Sequence, residues 1–168
     1  TASAFEAAWT LASAISALGY AVAVLDATVR ERAHAPGLSQ WIRSGERVAI
    51  PKTVSAMRAA PAEVVPAWPA VPSQSGLGSL MHVASSQSPH AALSQLSGVF
   101  AMGTVVLVLA PKEWLSVLFE DSRAQPLVPL ALTPAGVVDA YSTAKVLSQA
   151  GGLQPVLMPL AGAQSGEV

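Results

Sequence analysis

Few residues of this chain stand where side-chain chemistry is usually done. Asp26 closes an apolar run, Ala21-Val22-Ala23-Val24-Leu25, and Thr28 follows it by two positions. In doubly wound folds ligands sit at the carboxyl ends of the strands, so a carboxylate at this place can be a ligand residue. The same carboxylate can instead accept the backbone N–H two residues on and cap a turn. Both roles for Asp26 stay open at this level. Glu120 and Asp121 are neighbours, which point apart on a helix and so read as a solvated helix end rather than an acid/base pair. His34, His82 and His90 share no metal-ligand spacing and read as loop histidines facing water. Gly76-Leu77-Gly78 sits in a Ser/Pro-rich stretch with no strand expected to lead into it, so it reads as flexible loop and not as a phosphate cradle. No G-x-S-x-G elbow occurs, which removes the starting point for a serine hydrolase.

Composition narrows the function classes further. The 168 residues are 52% apolar and suit one domain with an ample core. Charged residues make up 11%, net charge is −1, and Lys52, Lys112 and Lys145 are scattered, so there is no basic stripe and no nucleic acid is expected as partner. The absence of cysteine excludes disulfides and thiolate metal sites and fits a reducing, cytoplasmic setting. Ala7 to Leu25 is uncharged and long enough to suggest a membrane span, but its apolar period changes from helical to strand-like at Gly19, so a membrane role is not expected. The chain does not open on methionine, which hints at processing or trimming.

The elements that must position these residues follow from periodicity. Phe5, Ala8, Trp9, Ala12, Ile15 and Leu18 recur at helical spacing, Gly19 stops that helix, and the run at 21–25 is apolar on both faces like a strand inside a parallel sheet. Leu38 to Arg43 reads as a short helix stopped by Gly45. Residues 49–89 read as an irregular Pro/Ser-rich insert or loop region, relieved only by a short strand near Val64-Val65. Then come a short helix at 91–96, the clearest strand at 104–110, a helix at 112–119 and an apolar run at 127–132. Thr133-Pro134 caps a helix running to Gln149, and a last strand spans 155–160 with Pro159 at its end or edge. Alternating strands and helices predict an α/β fold with a doubly wound, mostly parallel sheet and helices on both faces, a three-layer α/β/α sandwich over residues 1–168.

Three segments, in order, resemble the MinD/ParA family of deviant-Walker P-loop ATPases, which includes flagellar-number regulators and cellulose-synthesis accessory proteins. Leu18-Gly19-Tyr20-Ala21-Val22-Ala23-Val24-Leu25-Asp26-Ala27 is similar to the family's LG-x-x-V-x-V-L-D-A-D segment. Pro36-Gly37-Leu38-Ser39-Gln40-Trp41-Ile42-Arg43-Ser44-Gly45 is similar to its G-L-S-D-x-L-x-G segment, and Leu132-Thr133-Pro134-Ala135-Gly136-Val137-Val138-Asp139-Ala140-Tyr141 to its T-P-E-x-x-S-x-x-D-A-Y stretch. The resemblance implies a nucleotide-switch fold with ATP and magnesium at the carboxyl edge of the sheet.

Where the chain departs from that pattern, the chemistry is removed. The family's G-K-T-T falls on Ser3-Ala4-Phe5-Glu6, so Ala4 stands where the resemblance implies the phosphate-binding lysine. Thr28 stands in place of the switch aspartate, Leu109 in place of the magnesium-associated aspartate, and Pro159 near the adenine-contacting asparagine. Phosphoryl transfer depends on charge placement, so these losses predict a degenerate member with no ATPase chemistry, no cofactor and no metal. Asp26 is then a vestigial nucleotide ligand or a turn cap. Such a protein would act as a regulator or scaffold in bacterial positioning, division or surface-structure assembly, through a protein partner or a homodimer. Trp41 and Trp114 are candidate partner anchors, set against partial burial under loops. Two rivals remain: a fragment of an active ATPase that uses ATP and Mg²⁺ through a phosphate loop upstream, and a membrane-associated structural module.

Overall fold

A computed structural model describes residues 2–34, 37–50 and 69–160. The described chain is a mixed α/β protein with the order α1 (Ala2–Ala17), β1 (Ala21–Asp26), α2 (Leu38–Ser44), β2 (Ala70–Pro72), α3 (Gln74–Ser86), α4 (Pro89–Val99), β3 (Thr104–Leu109), α5 (Lys112–Leu118), β4 (Leu127–Leu130), α6 (Pro134–Gly151) and β5 (Val156–Pro159). The strands do not form one sheet. They form a three-stranded sheet of order β2-β1-β3 and a two-stranded sheet of β4 and β5, with every pairing parallel.

β1 is buried along its whole length, as its two-sided apolar run requires. Alternation sends its side chains to two different cores. Ala21, Ala23 and Leu25 join Leu38 of α2, Leu77 and Leu80 of α3, Ala92 and Leu96 of α4, and Leu118 of α5. Val22 and Val24 face the other way and pack with Ala12 and Ile15 of α1 and with Val105 and Leu107 of β3. Helices therefore cover both faces of the three-stranded sheet. A third core joins Val128 of β4, Ala140 and Leu147 of α6, and Leu153; Phe119 packs against both this core and the largest one.

The uncharged stretch from Ala7 to Leu25 divides into the end of α1 and β1, turning at Gly19 with φ of 88°, a backbone state that side chains resist. Among the described residues no helix is long and apolar enough to cross a membrane. Thr133 caps α6 through its Oγ1, which accepts from the Gly136 N–H at 3.1 Å, with Pro134 in the first turn. Pro159 closes the edge strand β5, where no ladder donor is required.

The reading of residues 49–89 needs correction. β2 leads directly into α3, a thirteen-residue helix, so Gly76-Leu77-Gly78 is helical and not loop. Gly76 is there because a Cβ at that position would stand 2.7 Å from both Leu38 Cβ and the Ser39 nitrogen, and Leu77 is a core residue of the first rank. Glycine and serine dominate the first turns of α3, and their weak helix propensity hides a helix that tertiary packing selects. The strand expected near Val64-Val65 lies outside the described residues. His82 and His90 are exposed, as expected, but they lie on α3 and α4 rather than in loops.

Candidate functional site

All three strands of the larger sheet run the same way, so their carboxyl ends share one edge, and helix α1 returns to that edge with its amino end. Asp26 sits there, buried. Its Oδ1 accepts from the Thr28 backbone N–H at 2.8 Å and from the Thr28 hydroxyl at 2.6 Å, which is an Asx-type turn closed on the side chain's own neighbour. The Asp26 carbonyl accepts from Ser73 N–H at 2.9 Å, tying the loop after β1 to the end of β2. The Thr28 hydroxyl is thus engaged by the Asp26 carboxylate.

The three positions where the resemblance implies charge come together. Ala4, Thr28 and Leu109 all line one cavity of about 640 Å³, which also takes in Pro111, Gly136 and Asp139. α1 brings Ala4, the turn after β1 brings Thr28, β3 brings Leu109, and α6 brings Gly136 and Asp139. The charged residues of its lining are Lys112, Glu113 and Asp139. Lys112 Nζ donates to Ser142 Oγ at 3.4 Å. One cation beside two carboxylates creates no field that favours a polyphosphate. Lys112, scattered in sequence from the other lysines, begins α5 directly after β3 and so reaches this cavity. Among the described residues no group of three or more His, Asp or Glu side chains is placed to hold a metal ion.

The best-formed electrostatic feature at this edge is Glu31, which sequence analysis did not single out. Its carboxylate accepts from the backbone N–H of Ser39 in the first turn of α2 at 3.1 Å, and from those of Ser75 and Gly76 in the first turn of α3 at 2.7 and 3.0 Å. Both helix amino termini, with their unpaired N–H groups and positive dipole ends, converge on one anion. Burial pushes the Glu31 carboxyl up, but the Ser75 side chain and the Ser39, Gly76 and Ser75 N–H groups outweigh it, and its pKa lies below the usual glutamate value. Gly37 makes the approach possible, since a Cβ there would collide with Glu31 Cγ and the Pro72 carbonyl. A helix terminus that could greet an external anion is therefore occupied by the chain's own carboxylate. The signal was indirect: two glycines, Gly37 just before α2 and Gly76 in the first turn of α3, with no acidic residue in the first turn of either helix.

Trp41 and Trp114 both pack against the largest core and are half-buried; Trp41 meets Phe100 edge-on, with ring centroids 6.0 Å apart at 88°. A group of exposed apolar side chains lies elsewhere. Val137, Val138 and Tyr141 are exposed together on one face of α6, with Leu132 just before it; Val138 and Tyr141 are each 68% exposed. Their spacing is helical, which conceals the fact that this face has no partner among the described residues.

Comparison with family models, with curated proteins and with solved structures finds no match to this chain.

Proposed function

We propose that this chain is a degenerate MinD/ParA-like domain, a doubly wound three-layer α/β/α unit of the cytoplasm, that has kept a nucleotide-switch framework and lost its nucleotide chemistry. It works through protein contacts, as a regulator or scaffold in bacterial positioning, division or surface-structure assembly. The observation that carries this reading is the meeting of Ala4, Thr28 and Leu109 at one cavity whose charged lining has more carboxylate than cation. Transferring a phosphoryl group requires cations and positioned dipoles around the equatorial oxygens, and an alanine, a threonine engaged with Asp26 and a leucine supply none. Glu31 supports the same reading, because it occupies the anion-seeking helix ends that open beside the sheet.

The contact surface this reading favours is the outer face of α6. Val138 and Tyr141, with Leu132, form an apolar exposed group of the kind that marks association, either with a protein partner or with a second copy. Trp41 and Trp114 serve the core in this reading and are not the anchors.

Titration calorimetry with ATP and with ADP in the presence of Mg²⁺ tests the chemistry. The expected outcome is no binding heat up to millimolar nucleotide, whereas micromolar binding or measurable turnover would overturn the reading and restore the active-ATPase rival. Val138→Asp combined with Tyr141→Glu tests the contact surface, with loss of self-association or of partner capture expected and an unchanged tryptophan spectrum showing that the fold is kept.

A further inference from the structure

A helix cannot satisfy the N–H groups of its own first turn. At α3 the N-cap does not do so either, because the Ser73 hydroxyl donates instead to the Val71 carbonyl at 2.7 Å. The chain that leaves β1 takes over the task. The Asp26 carbonyl accepts from Ser73 N–H at 2.9 Å, the Val29 carbonyl from Gln74 N–H at 3.2 Å, and the Glu31 carboxylate from Ser75 and Gly76 N–H at 2.7 and 3.0 Å. Successive amides at the amino end of α3 are thus held in order by residues 26–31.

Two features set this contact apart from a row of separate bonds. Oε1 of Glu31 accepts both from Gly76 of α3 and from Ser39 of α2, so rotation of one carboxylate releases both helix ends together. The contact is also shallow. Thr28, Val29 and Arg30 are exposed and Glu31 is half-buried, and of residues 27–31 only Ala27 joins a core. β1, which leads into this segment, is buried along its whole length and registered with β3 from Ala21 to Asp26. Segments with few buried apolar contacts and water-accessible hydrogen bonds open at lower cost than core strands.

We infer that residues 27–31 are a strap, latched by Glu31, that opens from the amino ends of α2 and α3 as one local unit while the three-stranded sheet stays folded. Asp26 is the fixed end. Its backbone belongs to the β1 ladder, its carbonyl holds Ser73, and its side chain closes the turn to Thr28, so the strap swings from that turn. Closed, the strap supplies the acceptors for Ser39, Gln74, Ser75 and Gly76; open, it leaves those four amides to water. Thr28, beside the fixed end, also lines the cavity at the carboxyl edge of the sheet, which places the strap next to the candidate site. This inference goes beyond the proposed function and holds whether or not the protein binds nucleotide.

Native-state hydrogen exchange of the full chain, read at individual amides across low urea concentrations, tests the strap. The amides of Ser39, Gln74, Ser75 and Gly76 should share one protection factor, at least about tenfold below that of the β1 amides, and should depend little on urea, since a local opening exposes little surface. Thr133→Ala, which removes the distant cap of α6, should speed exchange in β1 by about fivefold and leave the four strap-held amides unchanged. Glu31→Gln should speed all four by a common factor of about tenfold, because the charge that strengthens the latch is gone. If the four amides follow the urea slope of β1, or respond to Thr133→Ala as β1 does, the contact opens only with the whole fold and the strap is overturned. Protection at Ser39 that differs from that at Ser75 and Gly76 overturns the single latch. The wild-type and Thr133→Ala measurements decide the matter even where Glu31→Gln fails to fold.

Discussion

Removing the Glu31 carboxylate should loosen two helices at once. The side chain accepts three backbone N–H groups, at 2.7, 3.0 and 3.1 Å, from the first turns of α2 and α3. Hydrogen bonds to a charged acceptor contribute about 1.5–3 kcal/mol each when shielded, and the favourable position at two positive helix ends adds about 0.3–1 kcal/mol apiece. Glu31 is only part-buried, so screening by water brings the sum down, and Glu31→Ala should cost about 2–4 kcal/mol. Glu31→Gln keeps an acceptor oxygen but not the charge, and should cost about half as much. Urea unfolding followed by far-UV circular dichroism measures both, with unchanged slope expected if the folded state stays compact. Acidity gives a second readout. Because the folded-state pKa lies below the unfolded one, the stabilisation is fully present above the ordinary glutamate value of about 4.3 and is lost as pH falls through the depressed folded value. The stability gap between the wild type and Glu31→Gln should therefore be widest near pH 6–7 and shrink progressively below about pH 4. A Glu31→Ala protein within 0.5 kcal/mol of wild type, or a gap that does not shrink on acidification, would refute the clamp.

Gly76→Ala should destabilise by about 1–2 kcal/mol in denaturant unfolding, because the new Cβ must displace Leu38 and the Ser39 backbone, and this overpacking exceeds the helix propensity that alanine adds. Asp26→Ala should cost about 1–3 kcal/mol by leaving the Thr28 N–H and hydroxyl without their acceptor, whereas Asp26→Asn, which retains the acceptor oxygen, should stay within about 1 kcal/mol by the same measurement. Thr133→Ala should cost about 1 kcal/mol through loss of the cap on α6, detected as a lower urea midpoint.

Sequence reading reached those elements whose local preference and tertiary role agree. α1, β1, β3, α5 and α6 announce themselves because an uninterrupted apolar period, a left-handed glycine or a Thr-Pro cap marks each end, and the structure places them within a few residues of the expected bounds. α3 was illegible because Gln74-Ser75-Gly76-Leu77-Gly78-Ser79 favours turns in isolation, and only contact with Leu38 and the Glu31 clamp makes it helical. The single continuous sheet was expected from alternation alone, but alternation says nothing of which strands pair, and here β3 and β4 do not. At the site, the sequence leaves a turn cap and a ligand role open for Asp26, and the structure shows its hydrogen bonds to Thr28. Glu31 was not legible, since its partners are 8, 44 and 45 residues away.

The ring of Phe119 is shared between the largest core and the one formed by β4, α6 and Leu153. Leu115 joins it in the smaller core, and α5 packs along α6, so the segment from β4 to β5 is coupled to the rest and unfolds with it as one cooperative unit. Heating curves read at Trp41 and at Tyr141 should then coincide.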